Sequence, residues 1–282
     1  METQSGYRKK GYLHEPFRLF HLRDVGVEEM EYHYHEFDKI VVFLSGTASY
    51  MIEGREYFLE PWDVLLVRHH LVHKPVIDPE DPYERVVIYL DPGFLHSGST
   101  EKTDLSACFR LARQRQFALM RPNETQRQVL EQLLGELESA LADRQFGADL
   151  LAQSCFLRLL IQLNRDMGHD RTNRDEDASV HDPKIQRALS YINDNLSGEL
   201  SVDTLAAQAY TSRYHFMRRF KQLTGFSVHQ YISQKRLLAA ASMLRRGVSA
   251  QEACARSGFQ DYSAFHRAFR REFGVTPRQM QP

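Results

Sequence analysis

The chain has 282 residues, 42% apolar and 26% charged, which is material for two ordinary domains, each with its own core. No uninterrupted apolar run approaches the ~20 residues that span a bilayer, and the basic residues of METQSGYRKKGYLHEP precede no apolar stretch that could act as a signal peptide, so a cytoplasmic protein with no membrane partner is expected. The net charge of −1 hides a division: residues 184–282 carry 15 Lys and Arg against 6 Asp and Glu, net +9, and the rest carry 21 against 31, net −10. The carboxy-terminal third alone is therefore expected to meet a polyanion.

Residues 1–20 read as a polar arm ending in the more apolar PFRLF. From about 25 to 92, short β-branched or aromatic runs are cut by turn residues: KIVVFLSG, TASYMIEGREYFLEPWD, VLLVRHHLVHKPVID and ERVVIYLDP. Runs of that length and spacing predict an antiparallel sandwich or barrel, with turns at Ser45-Gly46 and Glu53-Gly54. Cys108, Cys155 and Cys254 are odd in number and widely spaced, and they read as reduced core thiols.

After Pro92 the period changes. Residues 124–142 place Val129, Leu130, Leu133, Leu134, Leu137 and Leu141 at helical spacing, and residues 148–166 do the same with Leu150, Leu151, Phe156, Leu159, Leu160 and Leu163. A short connection makes these two helices an antiparallel hairpin. One face should cover the sheet; the surplus leucines point to a second subunit, and wholly intramolecular packing is the alternative. Residues 168–182 are polar and densely charged, a linker. Pro183 then opens a helix with Ile185, Ala188, Leu189 and Ile192 on one face.

The remaining stretch contains an internal repeat. FMRRFKQLTG at 216–225 and FHRAFRREFG at 265–274 share F-x-R-x-F-[K/R]-x-x-x-G at a spacing of 49 residues. Extended upstream at that spacing, Ala206 pairs with Ala255, Ala209 with Gly258 and Tyr210 with Phe259. Each copy reads as helix, tight turn, helix, with Ser201 and Ser249 capping the first helices and Ser212 and Asp261 the second. On the second helices Phe216, Phe220 and Leu223, and Phe265, Phe269 and Phe273, form buried stripes. The opposite faces carry Arg213, Tyr214, Met217, Arg218 and Lys221 in one copy, and Tyr262, Ser263, His266, Arg267 and Arg270 in the other. A basic, hydrogen-bonding helix face suits the major groove, where Arg can grip guanine and Lys can neutralise phosphate; a merely solvated basic surface would not recur at one place in two copies. Residues 227–247 between the copies read as one helix, a rod of ~30 Å that could hold two elements in successive grooves.

With LAAQAYTSRYHFMRRFKQLTG, then Arg236 and Ala240 of R-L-x-x-A, then ARSGFQDYSAFHRAFRREFGVTP in view, the last 100 residues or so resemble the AraC/XylS family of bacterial transcription regulators. The resemblance implies two helix-turn-helix motifs on a long connecting helix. It also implies base contacts at Tyr214, Met217 and Arg218 and at Tyr262, Ser263, His266 and Arg267, a double-stranded promoter as partner, and RNA polymerase as a further one. Met217 departs from the polar residue often found at its position, which favours contact with a thymine methyl.

In the amino-terminal half, alternate side chains put His33 and His35 on one side of a strand, and His69, His70 and His73 follow in EPWDVLLVRHHLVHKP. These segments resemble the cupin barrel, the usual sensory domain of that family. Metal-binding cupins use H-x-H, a Glu about four residues on and a distant His. His33, His35 and His73 match, but Lys39 stands at the Glu position and Trp62 replaces the usual Gly before Asp63. A lysine cannot ligate a divalent ion and repels it, so no metal or other cofactor is expected, with His33, His35 and His73 as the alternative metal set. A small polar effector, a sugar or small anion, held by His33, His35, Lys39 and His73 is the favoured reading; histidines without a ligand are the other.

The sequence thus predicts an α+β protein of two domains. A cupin-like antiparallel β-barrel with a helical hairpin occupies residues 1–167 (barrel about 15–95, helices about 104–167), and 168–182 link it to an all-α double helix-turn-helix domain at 183–282. The expected function is that of a homodimeric, effector-responsive transcription regulator and not an enzyme; a metal-dependent cupin isomerase or dioxygenase fused to a DNA-binding module is the alternative.

Overall fold

The computed structural model describes residues 8–9, 13, 15–26, 30–169 and 178–282. Most of the expected arm and of the expected linker lies outside the described residues. The chain divides into two compact units, one of residues 1–52 and 56–180, the other of 53–55 and 181–282.

The first unit holds two sheets. One has the order β10-β7-β4-β9-β2, with β2 Phe17–Asp24, β4 Asp38–Ser45, β7 Val64–Val67, β9 Tyr83–Leu90 and β10 Leu119–Met120. The other has the order β1-β3-β8-β5-β6-β11, with β1 Arg8–Lys9, β3 His33–Tyr34, β5 Ala48–Ile52, β6 Arg55–Phe58, β8 His73–Ile77 and β11 Ser179–His181. All pairings but β1 with β3 that have a described register are antiparallel.

The central strand β4 explains why DKIVVFLS shows no polar alternation. Ile40 and Val42 join Val64, Leu66, Val86 and Ile88 in a core with the helices, whereas Val41 joins Leu65, Val67, Val87, Tyr50, Ile52 and Tyr57 between the sheets. A strand covered on both faces reads as a continuous apolar run. The helical layer is α1 Pro92–Gly98, α2 Ala107–Arg115, α3 Glu124–Ala142 and α4 Ala148–His169. Leu130, Leu133, Leu134 and Leu137 of α3 and Phe156, Leu159, Leu160 and Leu163 of α4 fill this core, and Phe156 stacks on Phe17 of β2 at 4.0 Å. The buried hairpin stripe is shorter than the leucine spacing predicts: Leu141, Leu150 and Leu151, near the connection between α3 and α4, are exposed. Cys108, Cys155 and Cys254 are buried free thiols, and burial pushes the Cys108 thiol up to about 12.

The turn before β7 contains a second departure. Trp62 adopts φ 76°, a left-handed conformation that favours glycine. A cradle holds it there: Trp62 N donates to Phe43 O at 2.6 Å, and Glu60 N donates to the buried Asp63 carboxylate at 2.7 Å. Arg121 grips both Asp63 oxygens at 2.9 and 2.8 Å.

The second unit is helical: α5 Pro183–Asp194, α6 Val202–Gln208, α7 Arg213–Thr224, α8 Val228–Arg245, α9 Ala250–Arg256, α10 Tyr262–Phe273, and a final 3-10 turn at Pro277–Met280. Asp182, Ser201, Ser212, Ser227, Ser249 and Asp261 each accept a hydrogen bond from a backbone N–H of the helix they start. Gly225 and Gly274 end α7 and α10 at φ 77° and 72°. Leu237, Ala240, Ala241 and Leu244 of α8 pack with Ala253, Cys254, Phe265 and Phe269.

Candidate nucleic-acid interface and barrel site

Each carboxy-terminal copy is built from its phenylalanines outward. Phe216 and Phe220 are fully buried in α7, as are Phe265 and Phe269 in α10, which fixes the rotation of each helix. Arg213, Tyr214, Met217, Arg218 and Lys221, and Tyr262, Ser263, Arg267 and Arg270, are then left exposed, while His266 is half-buried beside Tyr262. Tyr214 is 76% exposed.

Hydrogen bonding sorts the cations further. Arg236 donates to Leu196 O and Gly198 O at 2.9 and 2.6 Å, and Arg219 donates to Asp182 at 2.9 Å, so both hold the fold. Arg213 is paired with Asp203 at 2.9 Å in an exposed bridge of small worth. By contrast, the side chains of Arg218, Lys221, Arg267 and Arg270 engage no partner among the described residues. Tyr210, which the repeat pairs with Phe259, adopts φ 50° and is exposed beneath Arg187, 5.5 Å from its ring centroid.

The register of the repeat is corrected by the structure. The second helices align at 49 residues, but the first helices align at 48: Ser201 with Ser249 and Ala206 with Cys254. The turn bonds repeat at the same interval, Thr211 N to Ala206 O and Phe259 N to Cys254 O, both at 3.1 Å. Tyr210 therefore answers Gly258, each being the left-handed residue of its turn, and the second turn carries one extra residue, Gln260. Extending the spacing of the phenylalanine frame upstream misses this insertion.

In the amino-terminal unit, β3 and β8 place His33 directly opposite His73, and the loop into β4 turns His35 toward them. The rings of His33 and His73 lie 4.4 Å apart, those of His35 and His73 4.6 Å, and one ring nitrogen of each lies within 4.8 Å of the others. All three are buried. Each Nδ1 meets a backbone carbonyl two residues away in its own segment: Glu31 O at 3.0 Å, Phe37 O at 3.0 Å and Leu71 O at 2.8 Å. The Nδ1 atoms therefore carry the protons, and the Nε2 lone pairs are the ones presented. The Nε2 atoms of His35 and His73 have no hydrogen-bond partner among the described residues. Burial holds both imidazoles well below their ordinary pKa, helped by the charge of Lys39, so they are neutral at pH 7.

Lys39 reaches the same interior. Its Nζ donates to Tyr50 Oη at 2.7 Å, and the Tyr50 ring stacks 5.8 Å from that of His73. Burial pushes the Tyr50 phenol well above its ordinary value, so it keeps its proton. His69 belongs elsewhere: its Nδ1 and backbone N–H both bond Asp38, at 2.6 and 2.8 Å.

Two helix-turn-helix units with basic second helices, following a sheet domain with a buried polar centre, define a DNA-binding transcription regulator with a ligand-binding domain. The profile of the AraC-like ligand binding domain matches residues 24–160, and that of the Helix-turn-helix domain matches residues 205–281. The chain belongs to the AraC family. It is 25% identical over 254 residues to the HTH-type transcriptional activator RhaS of Klebsiella pneumoniae (strain 342), covering 88% of this chain and 86% of the relative. Identity to RhaS of Salmonella arizonae is 27% over the same span. The DNA-binding domain of AdpA, solved with a target DNA, is 36% identical over 34% of this chain and 86% of that chain, with a TM-score of 0.33. No described helix is long and apolar enough to cross a membrane.

Proposed function

We propose that the chain is a cytoplasmic, homodimeric regulator whose α7 and α10 read a promoter and whose barrel binds a small effector. The single observation that carries this reading is the pair Arg218 and Arg267: exposed, unengaged among the described residues, and at one position in two phenylalanine-anchored helices. A guanidinium so placed can take guanine O6 and N7 together. Tyr214, Met217, Tyr262, Ser263 and His266 supply the differing contacts, and Arg213, Lys221 and Arg270 the phosphate contacts. His33, His35, Lys39 and His73 form the effector pocket. Effector binding shifts the chain between two arrangements only insofar as it binds them unequally, and that difference sets promoter occupancy and the encounter with RNA polymerase.

The test uses full-length protein and an operator selected from random duplexes. Arg218→Ala and Arg267→Ala should each weaken operator binding by ~1–3 kcal/mol, roughly 5- to 150-fold, with unfolding unchanged. Unaltered affinity in both variants would overturn the assignment.

A further inference from the structure

The buried histidines are arranged for more than hydrogen bonding. Three imidazoles converge, each oriented by a carbonyl on its Nδ1, and two present an Nε2 that nothing described satisfies. Leaving such atoms unpaired in a buried site is costly, and orientation through Nδ1 is the arrangement by which proteins fix metal-ligating histidines. A tetrahedral ion with ~2.0–2.1 Å bonds needs ligand nitrogens about 3.4 Å apart. The present separations, within 4.8 Å, close to that value if each nitrogen moves by less than ~1 Å.

We propose that His33, His35 and His73 bind a divalent transition-metal ion of the zinc class, and that Lys39 and Tyr50 make a small oxyanion its fourth ligand. The charge count gives the second half. Imidazole ligands are neutral and leave the ion's two positive charges uncompensated, and the Lys39 ammonium, bonded to the Tyr50 hydroxyl whose ring stacks 5.8 Å from His73, lies close by. A buried cluster of that sign needs an anion. No carboxylate belongs to the trio, since Lys39 stands where a glutamate would complete it, so the anion comes from solution. Lys39 can donate to it, and the Tyr50 hydroxyl, 2.7 Å from Lys39 Nζ, can do the same. The lysine that argues against a metal from the sequence alone thus selects what binds beside it.

This inference rests on the reading of the barrel as the sensing pocket, and its test separates the two. Full-length protein freed of metal by chelation is titrated with Co2+ as a spectroscopic stand-in for zinc. The expected result is one Co2+ per chain with the intense visible bands of a four-coordinate ion, displaced by Zn2+. Inorganic phosphate or acetate should shift those bands, and Lys39→Met should weaken that anion effect at least tenfold while the metal stays bound. His73→Phe should abolish the bands. In case that variant does not fold, X-ray absorption of the zinc-loaded wild type should show three imidazoles. No stoichiometric Co2+, or a coordination shell without imidazoles, overturns the metal site; an anion response unchanged in Lys39→Met overturns the anion half. Operator affinity measured alongside decides the sensing role separately: a bound metal with no effect on DNA would keep the site and remove the sensor.

Discussion

Single residues carry charge in two distinct ways in this protein. Asp63 is fully buried and its carboxylate is held by Arg121 and by the Glu60 N–H, all in service of one left-handed tryptophan. Asp63→Ala leaves Arg121 its bonds to Glu60 and Phe58 O but removes the buried acceptor of the Glu60 N–H, so it should cost about 2 kcal/mol. For a domain of this size that is a fall of roughly 4–8 °C in the first thermal transition, and a shift below 2 °C would show that the cradle is not needed. Arg218 and Arg267, by contrast, stabilise nothing that the structure shows, and their value lies in what they can reach. The sequence distinguishes these cases only partly. That Arg267 faces outward follows from its spacing to Phe265 and Phe269, but that Arg219 is tied to Asp182 depends on a fold that brings α5 beside α7.

At the level of elements, periodicity and capping were strong guides. The α3 span, the Pro183 start, and the caps Ser201, Ser212, Ser249 and Asp261 all follow from local chemistry that acts within four residues. What escaped was through-space. Tyr50 meets Lys39 across two sheets, and no spacing in the chain announces that bond. Leu150 and Leu151 satisfy the helical period yet stay exposed. The inserted Gln260 was hidden because the repeat is most legible in the second helices, where the phenylalanines are.

The turn of the second copy also contains the tightest backbone approach in that unit. A Cβ on Gly258, at φ 92°, would come within 2.3 Å of Leu196 O and 2.8 Å of Arg236 Nε, whereas one on Gly274, at φ 72°, would meet open space. Gly258→Ala should therefore destabilise by at least ~2 kcal/mol and Gly274→Ala by only ~1 kcal/mol, the cost of the left-handed conformation alone. Chemical denaturation of the full chain followed through the helical unit's transition compares them. Equal losses would mean that the Leu196 carbonyl and Arg236 both yield without cost.

For the molecule as a whole, the charge division read from composition coincides with the division of labour: the basic third holds the helices that present Arg218 and Arg267, and the acidic remainder holds the barrel. The apolar surface at the hairpin turn is the part of the acidic unit that such charge does not explain. Leu150 is 67% exposed, with Leu151, Leu141 and Phe146 nearby in the chain. If this surface joins two subunits, Leu150→Glu with Leu151→Glu should convert a dimer to a monomer in light scattering at micromolar concentration, with the far-ultraviolet circular dichroism unchanged. A variant of unchanged mass would place the subunit contact elsewhere.

The unequal turns of the two repeats have a consequence for the promoter. Each helix-turn-helix module is itself asymmetric, and the two differ further in loop length and in the side chain that follows the shared phenylalanine, Met217 against His266. If α7 and α10 read the promoter as proposed, the site met by one subunit is asymmetric, and inverting it should reverse that subunit on the duplex.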